Sequence, residues 1–147
     1  MSVKQISVFL ENKAGSLQRM TGVLAEAGID MRALTVAEAR DFGVARIVVD
    51  DTFKAMNALK EASFLANLTP VLGVLVPDEP GGLDKLIRIF SEAQINIEYM
   101  YAFMGGKDSK HACMIIRVQD TEAGEQRLSG KGLRLLTQEQ LAELVGH

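Results

Sequence analysis

Residues 7–17 read SVFLENKAGSL and residues 73–83 read GVLVPDEPGGL, so an apolar run and a glycine turn recur 66 positions apart. The same offset aligns five further pairs of similar residues: Leu24 and Phe90, Ala27 and Ala93, Ile29 and Ile95, Asp30 and Asn96, and Met31 and Ile97. These matches keep one register over a strand, a turn, a helix and the start of the next strand. A repeat of this kind decides the architecture, and the sequence therefore predicts a duplicated fold.

The first half predicts the element order β-α-β-β-α-β. Ile6, Val8 and Leu10 alternate with Ser7 and Phe9, so both faces are largely apolar, as in a buried strand. A helix with one apolar face follows Gly15, and Gly28 is placed to end it in the left-handed conformation. We expect further strands at 31–39, 44–49 and 64–68, a turn at 40–43, and a second helix capped by Asp51 or Thr52.

The second half predicts the same order and a short tail helix. We expect strands at 71–76, 95–103, 112–118 and 133–136, helices at 83–93 and 121–129, a loop at 105–108, and a tail helix capped by Thr137 with Leu141 and Leu144 facing inward. The predicted fold class is α+β: two tandem ferredoxin-like βαββαβ units, with antiparallel sheets that carry helices on one face. We place the two domains at residues 1–69 and 70–147, with a short link at Thr69-Pro70.

Composition excludes several classes of protein. The chain has 147 residues and a net charge of −3, without a cluster of Lys and Arg, so we expect neither a nucleic-acid partner nor a membrane partner. The longest apolar run, residues 71–76, is too short to span a bilayer. A single cysteine, Cys113, excludes an internal disulfide and a Cys-based zinc site. We expect a cytoplasmic protein without a metal or a cofactor.

The turn before the third predicted helix suggests a ligand site. Pro80 fixes its own φ, and Gly81 and Gly82 have no Cβ to keep a bound molecule away from the backbone. The first N–H groups of the following helix point outward with a partial positive charge, which suits a carboxylate. Asp78, or Asn12 in the first half, can receive an ammonium group. The pattern therefore favours an α-amino acid as the ligand.

The two turns and the segments after them resemble the ACT domain. The resemblance rests on NKAGSL at 12–17, LAEAGIDM at 24–31, DEPGGL at 78–83 and INI at 95–97, and it extends over nearly all of both halves. ACT domains are regulatory domains that bind amino acids, usually at an interface between two copies. The resemblance implies ligand contacts from the turns and from the strand starts: Asn12, Ala14, Gly15, Ser16, Leu17, Asp30 and Met31, then Pro77, Asp78, Glu79, Pro80, Gly81, Gly82, Leu83, Asn96 and Ile97.

One position separates the two turns within this resemblance. Ala14 stands where the family usually has Pro, whereas Pro80 keeps that residue. The resemblance therefore favours the second turn, and it leaves the first turn either degenerate or the complementary wall of the second site.

Simpler interpretations of the same residues stay open. The glycines are also typical of ordinary strand-to-helix turns, and Asn12 and Asp78 are typical of turns in which the side chain bonds nearby backbone. Tyr99 and Tyr101 are expected on one face of a strand with their hydroxyl groups at the rim. His111 is expected to be solvated, and Cys113 to be an inert buried thiol.

The sequence thus predicts a regulatory protein that recognises a free amino acid, acts as a homodimer, and passes its signal to a partner enzyme or transporter. It has no nucleophile elbow, phosphate loop or paired-His motif, so we nominate no catalytic residue. The alternative is a ligand-free structural or protein-interaction module that acts on such a partner. A small enzyme on the same frame is a third hypothesis, because fold does not fix function.

Overall fold

The computed structural model describes residues 2–103 and 110–144. The chain forms two compact units: residues 4–69, here the first unit, and residues 1–3 with 70–147, here the second unit. The predicted loop at 105–108 lies outside the described residues, as does the side chain of Leu144. The predicted domain limits of 1–69 and 70–147 stay a prediction.

The described residues form seven strands and five helices. Their bounds are β1 Val3–Glu11, α1 Ser16–Glu26, β2 Met31–Ala39, β3 Phe42–Val49, α2 Thr52–Glu61, β4 Leu65–Pro77, α3 Gly82–Glu92, β5 Tyr99–Ala102, β6 His111–Arg117, α4 Thr121–Leu128, β7 Arg134–Leu136 and α5 Gln138–Leu144. The order β-α-β-β-α-β occurs twice, with β4 closing the first round and opening the second. The predicted α+β class with tandem ferredoxin-like units is confirmed.

The first unit is an antiparallel sheet with two helices on one face. β3 pairs with both β1 and β2, so that Ile47 lies opposite Ile6 on one side and Leu34 on the other. Alternate side chains of these strands point to the helices, where Met20 and Leu24 of α1 and Ala55 and Leu59 of α2 are fully or almost fully buried among them. This apolar layer holds the start of α1 against the end of β1.

The second unit repeats this layer with its own strands. β4 pairs with β6 and β7, and β6 pairs with β5, all antiparallel. Leu86 and Phe90 of α3 and Leu128 of α4 pack on the side chains of β4 and β6. Each unit therefore has a hydrophobic core of its own.

Helix α1 ends as the sequence predicts. Gly28 has a φ of 71°, and the N–H of Ile29 bonds to the Leu24 carbonyl at 2.9 Å, which closes the last turn. In the second unit Gln94 takes this position with a φ of 58°, and Ile95 bonds Phe90 at 2.9 Å. The repeat therefore extends to the backbone geometry of the helix ends, even where glycine is replaced.

The predicted helix caps are confirmed in both units. Asp51, rather than Thr52, caps α2 by accepting a hydrogen bond from the N–H of Lys54 at 3.0 Å. Thr137 caps α5, because its hydroxyl accepts from Gln140 N–H at 3.1 Å while the Gln140 side chain accepts from Thr137 N–H at 2.9 Å. The tail helix buries Leu141 against the second unit.

The predicted link at Thr69-Pro70 is wrong. β4 runs through it without a break from Leu65 to Pro77, so the last strand of the first round and the first strand of the second are one strand. Proline interrupts a sheet by lacking an N–H, yet it holds its own φ and that of the preceding residue near extended values. At this position that restriction is compatible with a continuous strand, and the Pro70 carbonyl accepts a 2.7 Å bond from Arg117.

Two strand limits also differ from the prediction. β3 begins at Phe42, so the hairpin turn consists of Arg40 and Asp41 alone, with Arg40 in the left-handed region at a φ of 61°. β5 begins only at Tyr99, because residues 95–98 leave the helix without pairing as a regular strand, although Glu98 N–H bonds the Arg117 carbonyl at 2.9 Å. Apolar alternation in the sequence therefore extends beyond the paired segment.

Candidate functional site

The first turn connects β1 to α1 and leaves the start of the helix open. Gly15 holds the N-cap position in the left-handed region, with a φ of 91°, and no side chain caps the helix. Two tight backbone bonds shape the turn: Lys13 N–H to the Glu11 carbonyl at 3.0 Å and Ser16 N–H to the Lys13 carbonyl at 3.3 Å. A Cβ on Gly15 would meet no atom within 4 Å, so the backbone here borders open space.

The second turn, between β4 and α3, has the same backbone. Gly81 holds the N-cap position with a φ of 84°, again without a side-chain cap, and Glu79 N–H bonds the Pro77 carbonyl at 2.9 Å. Gly82 is different from its counterpart Ser16, because a Cβ on Gly82 would lie 2.2 Å from the Pro77 oxygen. The second turn is therefore closed more tightly and requires glycine at two successive positions.

Each turn is tied to the hairpin of its own unit. Asn12 N–H bonds the Asp41 carbonyl at 2.9 Å, and Asp78 N–H bonds the Lys110 carbonyl at 2.8 Å. The Asn12 side chain adds a second tie, donating to the Arg40 carbonyl at 2.9 Å and to Glu38 at 3.4 Å. The amide of Asn12 is thus a structural brace for the turn, and its oxygen is the part left for a ligand.

Among the described residues, the starts of α1 and α3 have different charged neighbours. Near the first turn lie Lys13 and Arg19, and the first turn of α1 has no acidic residue. Lys13 bonds Glu11 at 2.9 Å and thereby lowers the pKa of this carboxyl below its ordinary value. Around the second turn lie Asp78 and Glu79, and the first turn of α3 carries Asp84. Among these residues, the balance of charge therefore favours an anion more at the first turn than at the second.

Asp84 is itself paired within α3. Arg88, one helical turn further on, donates to it at 2.8 Å, and the bond raises the pKa of the arginine above its ordinary value. Both side chains are largely exposed, so this pair is screened by solvent and neutralises the helix start only in part.

A cleft of about 690 Å³ opens beside the first turn. It is lined by the polar residues Glu11, Lys13, Ser16, Arg19 and Ser63 and by the apolar residues Phe9, Leu10, Phe42, Phe64 and Leu65, which are here called its apolar wall. Ala14 and Gly15 form its rim, whereas Asn12 and Leu17 are not among the lining residues. This cleft combines charged groups of both signs with three aromatic rings.

Arg19 is the residue of this cleft that the sequence reasoning missed. Its guanidinium donates to the Ala62 carbonyl at 2.7 Å and lies 4.4 Å from the centre of the Phe64 ring. From the sequence, Phe42 is predicted in the hairpin turn at 40–43 and Phe64 in the strand at 64–68, and neither is predicted to line a site. Arg19 lies on α1, Phe42 begins β3 and Phe64 precedes β4, so no local motif marks them. The signal in the sequence is an Arg on the polar side of a helix next to a glycine turn.

The starts of the next strands lie at the other end of each unit. Asp30 and Met31 follow the C-terminus of α1, and Asn96 and Ile97 follow that of α3, whereas the glycine turns precede these helices. Each helix has 11 residues and so spans about 16 Å at 1.5 Å per residue. Within one unit, the structure therefore separates the predicted ligand residues into two groups and does not bring them together.

The strand starts are rich in charged contacts. Asp30 pairs with Arg32, and its N–H bonds the Asp50 carboxylate at 3.0 Å. In the second unit Asn96 lines a cleft of about 810 Å³ together with Glu98 and Arg117, whose side chains lie 3.4 Å apart. Ile97, a neighbour of Asn96, packs on the core instead.

The structure also describes Tyr99, Tyr101, His111 and Cys113, for which the simpler interpretations stay open. The rings of Tyr99 and Tyr101 stack with centres 6.5 Å apart, on one side of β5. His111 is exposed at the start of β6. Cys113 is buried, and burial raises the pKa of its thiol to about 12. His147 and Met104 lie outside the described residues.

Two general features of the described residues bear on function. Among residues 2–103 and 110–144, no group of His, Cys, Asp and Glu side chains is arranged to hold a metal ion. Within the same ranges, every helix is too short or too polar to cross a membrane.

Comparison with known proteins gives a consistent result. The family model of the ACT domain pair matches residues 1–145. A solved structure of protein BT0572 from Bacteroides thetaiotaomicron is 40% identical, with a TM-score of 0.88 over 98% of each chain. No curated protein matches.

Regulatory subunits of aspartate kinase have the same fold. The subunit from Thermus thermophilus, in its ligand-free form, has a TM-score of 0.63 at 18% identity, over 86% of this chain and 90% of that one. The subunit from Thermus flavus has a TM-score of 0.60 at 19% identity, over 87% and 89%. At such identities the likeness concerns the fold alone.

Proposed function

Because this chain belongs to the family of ACT domain pairs, we propose that it is a regulatory protein that binds a free amino acid. The observation that carries the proposal is the pair of glycine turns. Gly15 and Gly81 both open a helix in the left-handed conformation, both lack a side-chain cap, and both border open space. Helix N–H groups left open in this way suit the carboxylate of a small ligand.

The separation of the candidate residues supports a shared site. A turn and a strand start of one unit lie about 16 Å apart along the helix between them, a distance that no single amino acid spans. A ligand that touches both groups must take the turn from one copy of the fold and the strand start from another. We therefore propose that binding occurs at an interface between ACT-like units and that the chain acts as a homodimer.

The proposed role is regulatory and not catalytic. A ligand held between two copies shifts the population of their arrangements, and it acts only through its different affinity for those arrangements. The signal would pass to a partner enzyme or transporter in the cytoplasm. The titratable groups around the turns support binding, since they form ion pairs at the surface and not a base with an orienting partner.

Calorimetry with each of the twenty amino acids tests this proposal. We expect a measurable heat with one amino acid or a related group of them, and a loss of that heat in Gly15→Ala, Gly81→Ala or both. Alanine fits the space at these positions but strains the left-handed backbone by about 1–2 kcal/mol. Absence of heat and of a thermal shift with all twenty would contradict the proposal.

Gly130→Ala is the matched control for these variants. Gly130 also has a left-handed φ, 77°, and open space around its Cβ position, but it follows α4 and belongs to neither turn. It should lose a similar amount of stability and keep the affinity of the unmodified chain. An equal loss of affinity in all three variants would show that strain, and not the turns, is responsible.

A structural or protein-interaction module is the second candidate. It is favoured by large apolar side chains at the surface of the first unit, among them Phe42 and Leu65, which are 50% and 66% exposed. Light scattering at several concentrations, with and without amino acids, separates the candidates. If the chain is a sensor, the mass of its assembly or its stability should change when an amino acid is added. If it is a structural module, neither quantity should change.

A further inference from the structure

The apolar wall of the cleft beside the first turn is unusually exposed. Phe42 and Leu65 present half or more of their surface to solvent, and Phe9 lies with them along the wall. When an apolar group covers exposed rings at a concave surface, the complex is stabilised because apolar surface is removed from water. The wall therefore fits a ligand that carries a large apolar side chain.

The polar side of the same cleft has a fixed cation. Arg19 donates one N–H to the Ala62 carbonyl at 2.7 Å, and its guanidinium lies against the Phe64 ring at 4.4 Å. These two contacts hold the group in place before any ligand arrives, which lowers the entropy lost on binding. Guanidinium has five N–H donors in a planar fork, and the donors not used by Ala62 can bind a carboxylate through two parallel bonds.

The charges next to Arg19 complement the other end of an amino acid. Glu11 lies in the same cleft and is ionised at neutral pH, since Lys13 holds its pKa below the ordinary value. A carboxylate at this position can accept the ammonium group, while Ser16 and Arg19 stand near the open helix start. The residues lining the cleft thus include an anion, a cation and exposed apolar side chains.

The second turn offers no comparable set among the described residues. The counterpart of Arg19 is Lys85, which stands beside Asp84 and has no ring or carbonyl to fix it within residues 2–103 and 110–144. The acidic residues Asp78, Glu79 and Asp84 oppose a carboxylate at that helix start. The two turns share a backbone but not the chemistry around it.

We infer that the cleft of the first unit is the site for an amino acid with a large apolar side chain, of the size of leucine or phenylalanine, and that Arg19 binds its carboxylate. This inference rests on the proposed function and specifies both the ligand class and the turn that is used. The inference favours the first turn as the ligand site, whereas the resemblance based on Pro80 favours the second.

Calorimetry on the full chain with five amino acids tests the ligand class. We expect L-leucine or L-phenylalanine to bind at least about tenfold more tightly than glycine, L-aspartate and L-lysine, because a large side chain is removed from water. Phe42→Ala should weaken the binding of leucine or phenylalanine about tenfold. Phe53→Ala removes a ring that is 79% exposed on α2 and should leave the affinity unchanged.

Leucinamide, which lacks the carboxylate, tests the role of Arg19. The unmodified chain should prefer leucine to leucinamide by about tenfold or more, and Arg19→Met should abolish most of that preference. If Arg19 had a purely structural role, Arg19→Met would weaken the binding of leucine and of leucinamide equally. Lys85→Met is the matched control at the second turn and should leave both affinities unchanged.

The outcomes separate this inference from the proposed function. Binding that favours small or charged amino acids, or that is lost in Lys85→Met and kept in Arg19→Met, would overturn the inference and leave amino-acid binding intact. If Phe42→Ala changed the mass of the assembly in solution but not the affinity for the amino acid, the Phe42 ring would belong to a contact between copies. That result would also overturn the inference. Absence of binding by all ligands contradicts the proposed function itself.

Discussion

The two glycine turns have closely similar backbone geometry but differ in the residues that surround them. Both place a glycine in the left-handed region before a helix, with φ values of 91° and 84°, and both are tied to their hairpin by one backbone bond. The first is bordered by Lys13 and Arg19 and by an open cleft, whereas the second is bordered by acidic residues and closes against Pro77. The comparison teaches that a duplicated backbone preserves a potential site, while the residues around it decide whether the site attracts an anion.

The largest expected difference between the turns concerns the position after the glycine cap. Gly82→Ala should destabilise the chain by about 1–3 kcal/mol, because the new Cβ would lie 2.2 Å from the Pro77 oxygen and the backbone must move. Ser16→Ala at the matching position should change stability by less than about 0.5 kcal/mol, since a Cβ is already present there. Urea unfolding measures both, and equal effects would show that the turns are packed alike.

A smaller difference is expected for the residue that begins each turn. Asn12→Ala should lower the free energy of unfolding by about 0.5–1.5 kcal/mol, because it removes the bond from the amide to the Arg40 carbonyl. Among the described residues the Asp78 side chain has no such bond, so Asp78→Ala should be nearly neutral. The same unfolding measurement applies, and a larger loss from Asp78→Ala would reveal a brace at the second turn.

The smallest expected difference is electrostatic. Lys13→Met should raise the pKa of Glu11 towards its ordinary value, because the hydrogen bond and the charge of Lys13 are what lower it. Since this pKa is lower in the folded chain, the carboxylate stabilises the fold above its ordinary pKa, and that contribution is lost as the pH falls through the lowered pKa.

NMR titration of the Glu11 carboxyl measures this shift. Arg88→Met removes the corresponding ion pair at the second turn and should leave the pKa of Glu11 where it is. If the pKa of Glu11 were unchanged in Lys13→Met, the assignment of the first turn as the more cationic one would be wrong.

Much of the fold is predictable from local patterns in the sequence. The offset between the halves, the helix stop at Gly28 and the caps at Asp51 and Thr137 all depend on residues close together in the chain, and the structure confirms them. The link at Thr69-Pro70 was mistaken because proline is compatible with an extended strand as well as with a break. The length of β5 depends on its pairing with β6, which apolar alternation does not report.

The candidate site was predictable only in part. The glycine turns follow from the sequence, and so does their distance from the strand starts, because the helix between them has a length that can be counted. The cleft is different, since Phe9, Arg19, Phe42 and Leu65 belong to separate strands and a helix. Their approach is a product of packing, and a pattern read along one segment cannot reveal it.

The burial of Cys113 makes the chain convenient to study. It is the only cysteine, and with a thiol pKa of about 12 almost none of it is thiolate at neutral pH, so maleimides and disulfide reagents have little to react with. A reporter cysteine introduced at the surface can then carry a fluorophore or a spin label at one defined position, in a background that is otherwise native. Distances across the proposed assembly thus become measurable in solution.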